Sequence, residues 1–250
     1  MQRRSLWLTI IAGVAVFLVV LVFYLPASWF AGSLPSQVRC RELGGSIWHG
    51  ECLGLTFSGA ALGDATWNFT PTRAFVGRLT GDVAVSGGAL DARGELDTSF
   101  GGVGELHKVS VSFALDPALL PQLPRDQRGH IVAELNRVEL GSGPAARAID
   151  GRIELTNLRQ VGAQPMELGS YEVIFDGSTG PQGQVPGKVR DIGGPYIVDA
   201  TVTLTPPDAY LVQGYITGRT AEAERIVREI TLGAPPDNSG RSTFSFEGTY

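Results

Sequence analysis

The chain has 250 residues, is 43 % hydrophobic and carries a formal net charge of −5. That length and apolar content suffice for one large or two small packed domains and exclude disorder as the starting assumption. The acidic balance argues against a nucleic-acid partner and against adhesion to anionic headgroups, both of which call for basic patches.

Arg3 and Arg4 precede an apolar run from Leu6 to Leu25 that has no charge and no proline, with Gly13 its one weak helix former. About 20 helical residues at ~1.5 Å each span a hydrocarbon core of ~30 Å, so a single transmembrane helix is expected over 6–25. A secretory signal peptide is the rival reading, but its apolar region is about 7–15 residues and ends at a small-residue cleavage site. The passable site here, Ala31-Gly32-Ser33, lies well past the run. Tyr24, Trp29 and Phe30 suit the outer interface, and the positive-inside rule puts residues 1–5 in the cytoplasm. Residues 26–250 are then expected as a β-rich periplasmic domain on a single-pass inner-membrane protein. Without Arg3 and Arg4, the net charge of −5 becomes −7 for that exported part.

The stretch CRELGGSIWHGEC, residues 40–52, holds both cysteines. In an oxidising compartment a Cys40–Cys52 disulfide is the expected state. Closing a loop of this size stabilises by roughly 3 kcal/mol in the chain-entropy account. Zinc on Cys40, His49, Cys52 and Glu51 is the alternative, although Cys-x8-His-x2-Cys matches no usual finger spacing; free or redox thiols are a third. Polar Ser36–Glu42 reads as a short helix or turn leading into a first strand. Gly44-Gly45 signals a turn, Trp48 points inward, Gly50 permits close backbone approach, and His49 faces solvent.

From there the chain alternates short β-type runs with Gly, Asp or Pro turns. Strands are expected at 53–58, 65–70 (ending at Pro71), 77–86, 89–97 and 103–115. In the last, Val109, Val111, Phe113 and Leu115 alternate with Lys108, Ser110, Ser112 and Ala114, one face buried and the other wet. Asp116–Asp126, with Pro117 at a first helical position, reads as a short helical turn. Strands resume at 129–140, 148–158, 166–177, 184–190, 196–204 and 210–218. Thr220 opens a helix with Ala223, Ile226, Val227 and Ile230 on one face and Gly233 as its stop, expected to lie across a sheet edge or end and cover it. A closing strand over 241–250 carries Phe244 and Phe246. The fold class is all-β: one mainly antiparallel, curved, open sheet with one or two short helices after the transmembrane helix, in preference to two lobes divided near Pro117–Pro124.

No catalytic constellation emerges. His49, His107 and His130 lie beside no nucleophile motif, and G-x-S-x-G is missing. Gly101-Gly102-x-Gly104 lacks a following helix and a phosphate-binding Lys, so turn chemistry explains it. Carboxylates are single and scattered, and Asn68-Phe69-Thr70 fits the glycosylation pattern by chance. No catalytic residue, metal or cofactor is expected, and a part of an envelope assembly is favoured over an enzyme.

Several motifs occur in an order that resembles a known family. Leu34-Pro35-Ser36-Gln37-Val38, GGSIWHG (44–50), a tryptophan strand ending at Pro71 (Ala65 to Pro71, with Trp67) and Gly77-Arg78-Leu79 stand at one end. LTPPDAYLVQGYITGR (204–219) and LGAPPDNSGRSTFSFEGTY (232–250) stand at the other. Together they resemble the N component of bacterial type II secretion systems. The resemblance implies a bitopic inner-membrane accessory protein whose periplasmic domain contacts the secretin and the inner-membrane platform. It makes Gly45, Trp48, Gly50, Trp67 and Pro71 candidate structural or interaction residues, bracketed in part by Cys40 and Cys52. Trp48 and Trp67 are core residues or interface anchors, and an open sheet offers edges for strand addition. The alternative is an AsmA-like periplasmic β-groove that handles or transports lipid, which needs a continuous apolar concave face. A periplasmic hydrolase is the third reading and lacks a nucleophile and base.

Overall fold

Period-two alternation with short turns should fold into consecutive hairpins, and it does. The computed structural model describes residues 7, 10, 11, 13, 14, 17, 20–33, 36–99, 102, 104–115, 126–141, 146–162, 165–231 and 235–249. Its strands are β1 (Val38–Arg39), β2 (Glu42–Gly45), β3 (His49–Phe57), β4 (Ala60–Phe69), β5 (Arg78–Ser86), β6 (Leu90–Ser99) and β7 (Gly104–Ala114). There follow β8 (Gln127–Leu140), β9 (Ala146–Gln160), β10 (Met166–Asp176), β11 (Val185–Gly193), β12 (Tyr196–Thr205), β13 (Ala209–Gly218) and β14 (Ser242–Thr249). All belong to one 14-stranded sheet, and from β3 to β14 each strand pairs with its neighbours in sequence. At ~4.8 Å per strand the ladder measures about 60 Å across.

β7 and β8 pair directly, from Gly104↔Leu140 to Ala114↔His130, so the proline-rich break does not split the sheet. The helical turn expected at 116–126 falls, but for Asp126, outside the described residues. Of the helix or turn expected at Ser36–Glu42, a turn at Ser36–Gln37 is present and leads into β1; the remainder is β1 and the start of β2, which both pair on the outer side of β3. Val38 and Arg39 face Phe57 and Thr56, so the partner strand supplies the hydrogen bonds a helix would otherwise make internally.

The register sorts side chains into two faces. On one lie Cys52, Ala65, Trp67, Val83, Val85, Ala92, Leu96, Leu106, Val111, Ala133, Ile153, Val173, Val189, Ala200, Val212 and Phe246, in chain order from β3 to β14. The other is charged. Two of the register shifts illustrate how the sorting is kept. Lys108, at φ 50°, shifts β7 against β6 so that Leu106 and Val111 share a face although their sequence offset is odd. A second shift between Leu135 and Arg137 does the same for Leu135 and Val138. The best-packed part of the apolar face is the centre, where Val138, Ile149, Phe175 and Val185 cluster and Val185 is 0 % exposed.

After the N-terminal run, the α-helices among the described residues are α1 (Pro71–Ala74), with Pro71 at its first turn, and α2 (Ala221–Ile230); short 3-10 turns lie at Ala27–Ser33 and Pro181–Gly183. Thr220 caps α2, its hydroxyl accepting from the Ala223 amide at 3.2 Å. α2 does not cover an edge. Ala223 and Val227 pack on Tyr196, Val198 and Ala200, so the helix lies on the apolar face over β12 and β13. Its stripe is matched by apolar side chains there, whereas an edge presents backbone polar groups. Gly218 makes the passage possible, since a Cβ there would stand 2.3 Å from the Glu224 amide nitrogen.

In the N-terminal apolar run, residues 7, 10, 11, 13, 14, 17 and 20–23 are helical. Among the described residues no helix is long and apolar enough to cross a membrane, and the rest of the expected 6–25 span lies outside them.

Candidate functional site

Cys40 and Cys52 are joined in a disulfide with a Cα–Cα distance of 5.4 Å, which removes both from thiol or zinc chemistry. The bond ties the bend between β1 and β2 to β3. Within the bracket, β2 and β3 form a hairpin closed by the Ser46 amide donating to the His49 carbonyl at 2.8 Å. The Ser46 hydroxyl accepts from the Trp48 and His49 amides at 3.3 and 3.1 Å. Gly45 sits at φ 76°, in the left-handed region, with the His49 carbonyl 2.3 Å from where a Cβ would be. Gly50 has an extended backbone and a different need: the Trp67 ring lies against it, 2.3 Å from its missing Cβ.

The tip of this hairpin docks on the end of the N-terminal helical segment. The Trp48 indole donates to the Val22 carbonyl at 2.8 Å, the Ile47 amide donates to the Leu25 carbonyl at 3.1 Å, and Pro26 bridges Ser46. The Trp67 indole donates to the Ser46 and Ile47 carbonyls, both at 3.2 Å. Gly45, Trp48, Gly50 and Trp67 are therefore one unit, with Trp48 buried and His49 exposed as expected. Pro71 stands apart from it, starting α1 in the β4–β5 connection.

Behind the hairpin, on the apolar face, is a cavity of about 670 Å³. Trp48, Trp67, Cys40 and Cys52 line it together with residues the sequence reading did not select, among them Ala27, Leu43, Leu55, Phe69, Ala74 and Leu79. Every lining residue is apolar. Leu79 was legible only as part of the Gly77-Arg78-Leu79 motif. The role of Val22 and Leu25 as acceptors left no side-chain signal, because backbone carbonyls make both contacts.

The opposite face is a field of cross-strand ion pairs: Arg78–Asp97 at 2.7 Å, Lys108–Glu95 and Arg152–Glu134 at 2.8 Å, and Arg190–Glu172 at 3.6 Å. The Arg78 guanidinium, hydrogen-bonded to Asp97, holds that carboxyl below the usual Asp range. These exposed pairs fix which face is wet more than they stabilise it.

At the far end, β14 has β13 on one side and no strand on the other among the described residues. Its entry is clamped by Asp237, which accepts from the Ser239 and Arg241 amides at 2.8 and 2.9 Å and from the Arg241 guanidinium. Those bonds, led by the Arg241 amide, lower the Asp237 carboxyl. The same guanidinium lies 4.2 Å over the Tyr215 ring. Beneath α2, burial pushes the Tyr171 phenol up to about 12, with Tyr196 and Asp191 adding to the shift.

The histidines are dispersed. His107 lies 3.0 Å from Glu105, and His130 Nε2 lies 3.0 Å from the Ser112 hydroxyl on the wet face. The Ser112–His130 pair is exposed, and among the described residues no carboxylate hydrogen-bonds its imidazole. No three His, Cys, Asp or Glu side chains converge as a metal set among the described residues.

Comparison with known proteins places this architecture. The model of the family described as type II secretion system, protein N, matches residues 36–245. No curated protein and no solved structure matches the chain.

Proposed function

The chain belongs to the type II secretion system protein N family, and on that premise we propose that it is an accessory, non-catalytic component of such a system. In this reading residues 6–25 anchor it in the inner membrane, residues 1–5 are cytoplasmic, and the β domain stands in the periplasm. There it binds the secretin, inner-membrane platform proteins or both while folded proteins are exported.

The observation that carries the binding part is β14, whose outer side has no strand partner among the described residues. Its sequence STFSFEGT has one charge, Glu247, and no proline, so it lacks the usual devices that keep an edge from pairing. An extended segment of a partner can add there, main chain to main chain. Photo-crosslinkers placed singly along β14 and along the charged face, in whole cells, test this. Capture of secretin or platform proteins from β14 positions supports the reading, and capture from the charged face alone contradicts it. A reporter fused after Tyr250 should be active in the periplasm and silent in the cytoplasm.

The lipid-handling alternative is favoured by one observation, the apolar face that runs from Cys52 on β3 to Val189 on β11, beyond which α2 lies over β12 and β13.

A further inference from the structure

We propose that the cavity behind the stapled hairpin binds one fatty-acyl chain of a bilayer phospholipid, an inference that rests on reading residues 6–25 as the membrane anchor. Its walls select for hydrocarbon. No lining residue is charged, and the two indole N–H groups on its rim are already spent on the Val22, Ser46 and Ile47 carbonyls. An occupant therefore meets no unpaired donor and needs no polar group of its own. About 670 Å³ lies inside the range of roughly 300–1,000 Å³ found for small-molecule sites.

The source of the chain follows from what surrounds the mouth. The Phe23 ring on the helical segment and the Phe75 ring after α1 are 6.2 Å apart. Phe75 follows Ala74, which lines the cavity, so apolar surface continues from the helical segment into it. Tyr24, Trp29, Phe75 and Val76 are all exposed at this end, at 78, 69, 65 and 72 %. Such a cluster is costly in water and ordinary at a membrane interface, where Trp and Tyr concentrate. Arg73, exposed in the same turn, offers a cation to a headgroup phosphate. The acyl chain would thus leave the bilayer beside the anchor, run over the packed Phe23–Phe75 pair and lie against Leu43, Leu55 and Leu79, with its headgroup at the interface. Both environments are apolar, so the chain exchanges with the bilayer and is not extracted from it.

The test uses the full chain in vesicles of phosphatidylethanolamine and phosphatidylglycerol doped with a phospholipid carrying a diazirine at its acyl end. After illumination, the labelled residues are mapped by peptide mass spectrometry. Label is expected on the 6–25 segment and, separately, on lining residues such as Leu43, Leu55 and Leu79. Two independent filling variants, Ala65→Phe and Ala74→Leu, should each lose the cavity label and keep the label on 6–25; resistance of Cys40 and Cys52 to alkylation confirms that the hairpin is folded. Label on 6–25 with none in the cavity overturns the proposal while the anchor reading stands, leaving the cavity to an apolar side chain of a protein partner. Absence of label on 6–25 overturns the anchor reading itself. Cavity label that survives both filling variants also overturns the proposal, because it would not come from inside.

Discussion

On one border of the sheet, β1 and β2 are held by the Cys40–Cys52 disulfide, by the Pro26–Ser46 bridge and by hydrogen bonds from Ile47 and Trp48 to the N-terminal helical segment. On the other, β14 is supported from behind by β13 and from its entry by the Asp237–Arg241 clamp, and α2 lies on the face beside it. The first border is tied down by covalent and local contacts of the chain itself, and its two strands, of two and four residues, each pair with β3 alone among the described residues. The second is built with the same care up to its last strand and then stops. On the proposed reading, the edge beside α2, which has no strand partner among the described residues, is the one another chain joins, whereas the stapled border faces the membrane the N-terminal segment would enter.

The comparison breaks most visibly if the stapled border is weakened. Trp48→Ala removes a buried ring and its bond to the Val22 carbonyl, with an expected loss of about 3–5 kcal/mol in denaturant unfolding. The double substitution Cys40→Ser with Cys52→Ser should cost roughly 3 kcal/mol by freeing the 12-residue separation in the unfolded chain. Hydrogen exchange distinguishes the borders: both changes should speed exchange in β1–β3 and leave β12–β14 as they were. Equal speeding at both ends would mean that the sheet opens as one unit. At the far border, Thr220→Ala removes the α2 cap and should cost about 1 kcal/mol, with faster exchange confined to α2 and β12–β13.

The smallest effect is electrostatic and reaches both ends. Asp97 and Asp237 have carboxyls lowered in the folded protein relative to the ordinary 3.8, so each contributes stability above that value and loses it as pH falls through its own lowered one. Stability should be flat near neutrality and decline only below about pH 4. Arg241→Ala should reduce that acid dependence at the β14 entry, and high salt should blunt the Arg78–Asp97 part because that pair is exposed.

Much of this border-to-border plan is legible in the sequence. The alternation in 103–115 and 196–218, the Thr220 cap and the cysteine bracket each announce their local structure, because period and capping chemistry are local properties. What is not legible is where strands slip. Lys108 is an unremarkable residue, yet its positive φ moves Leu106 onto the face of Val111, and the choice depends on the β6 neighbour. Likewise β1 and β2 are too short to show a period and exist because β3 pairs with them. The position of α2 on a face in place of an edge was decided by Tyr196, Val198 and Ala200, residues whose face is known only once the register is. The cavity follows the same rule: Leu43, Leu55, Phe69 and Leu79 come from four strands and meet only in the sheet.

The measurement that bears most directly on the central claim is amide hydrogen exchange in β14, comparing the protein alone in membranes with the protein in the assembled secretion machine. Strand addition predicts new protection of alternate amides within Ser242–Thr249, with β1–β3 unchanged. Protection that appears only on strands of the charged face, with β14 exchanging as fast as before, would contradict it.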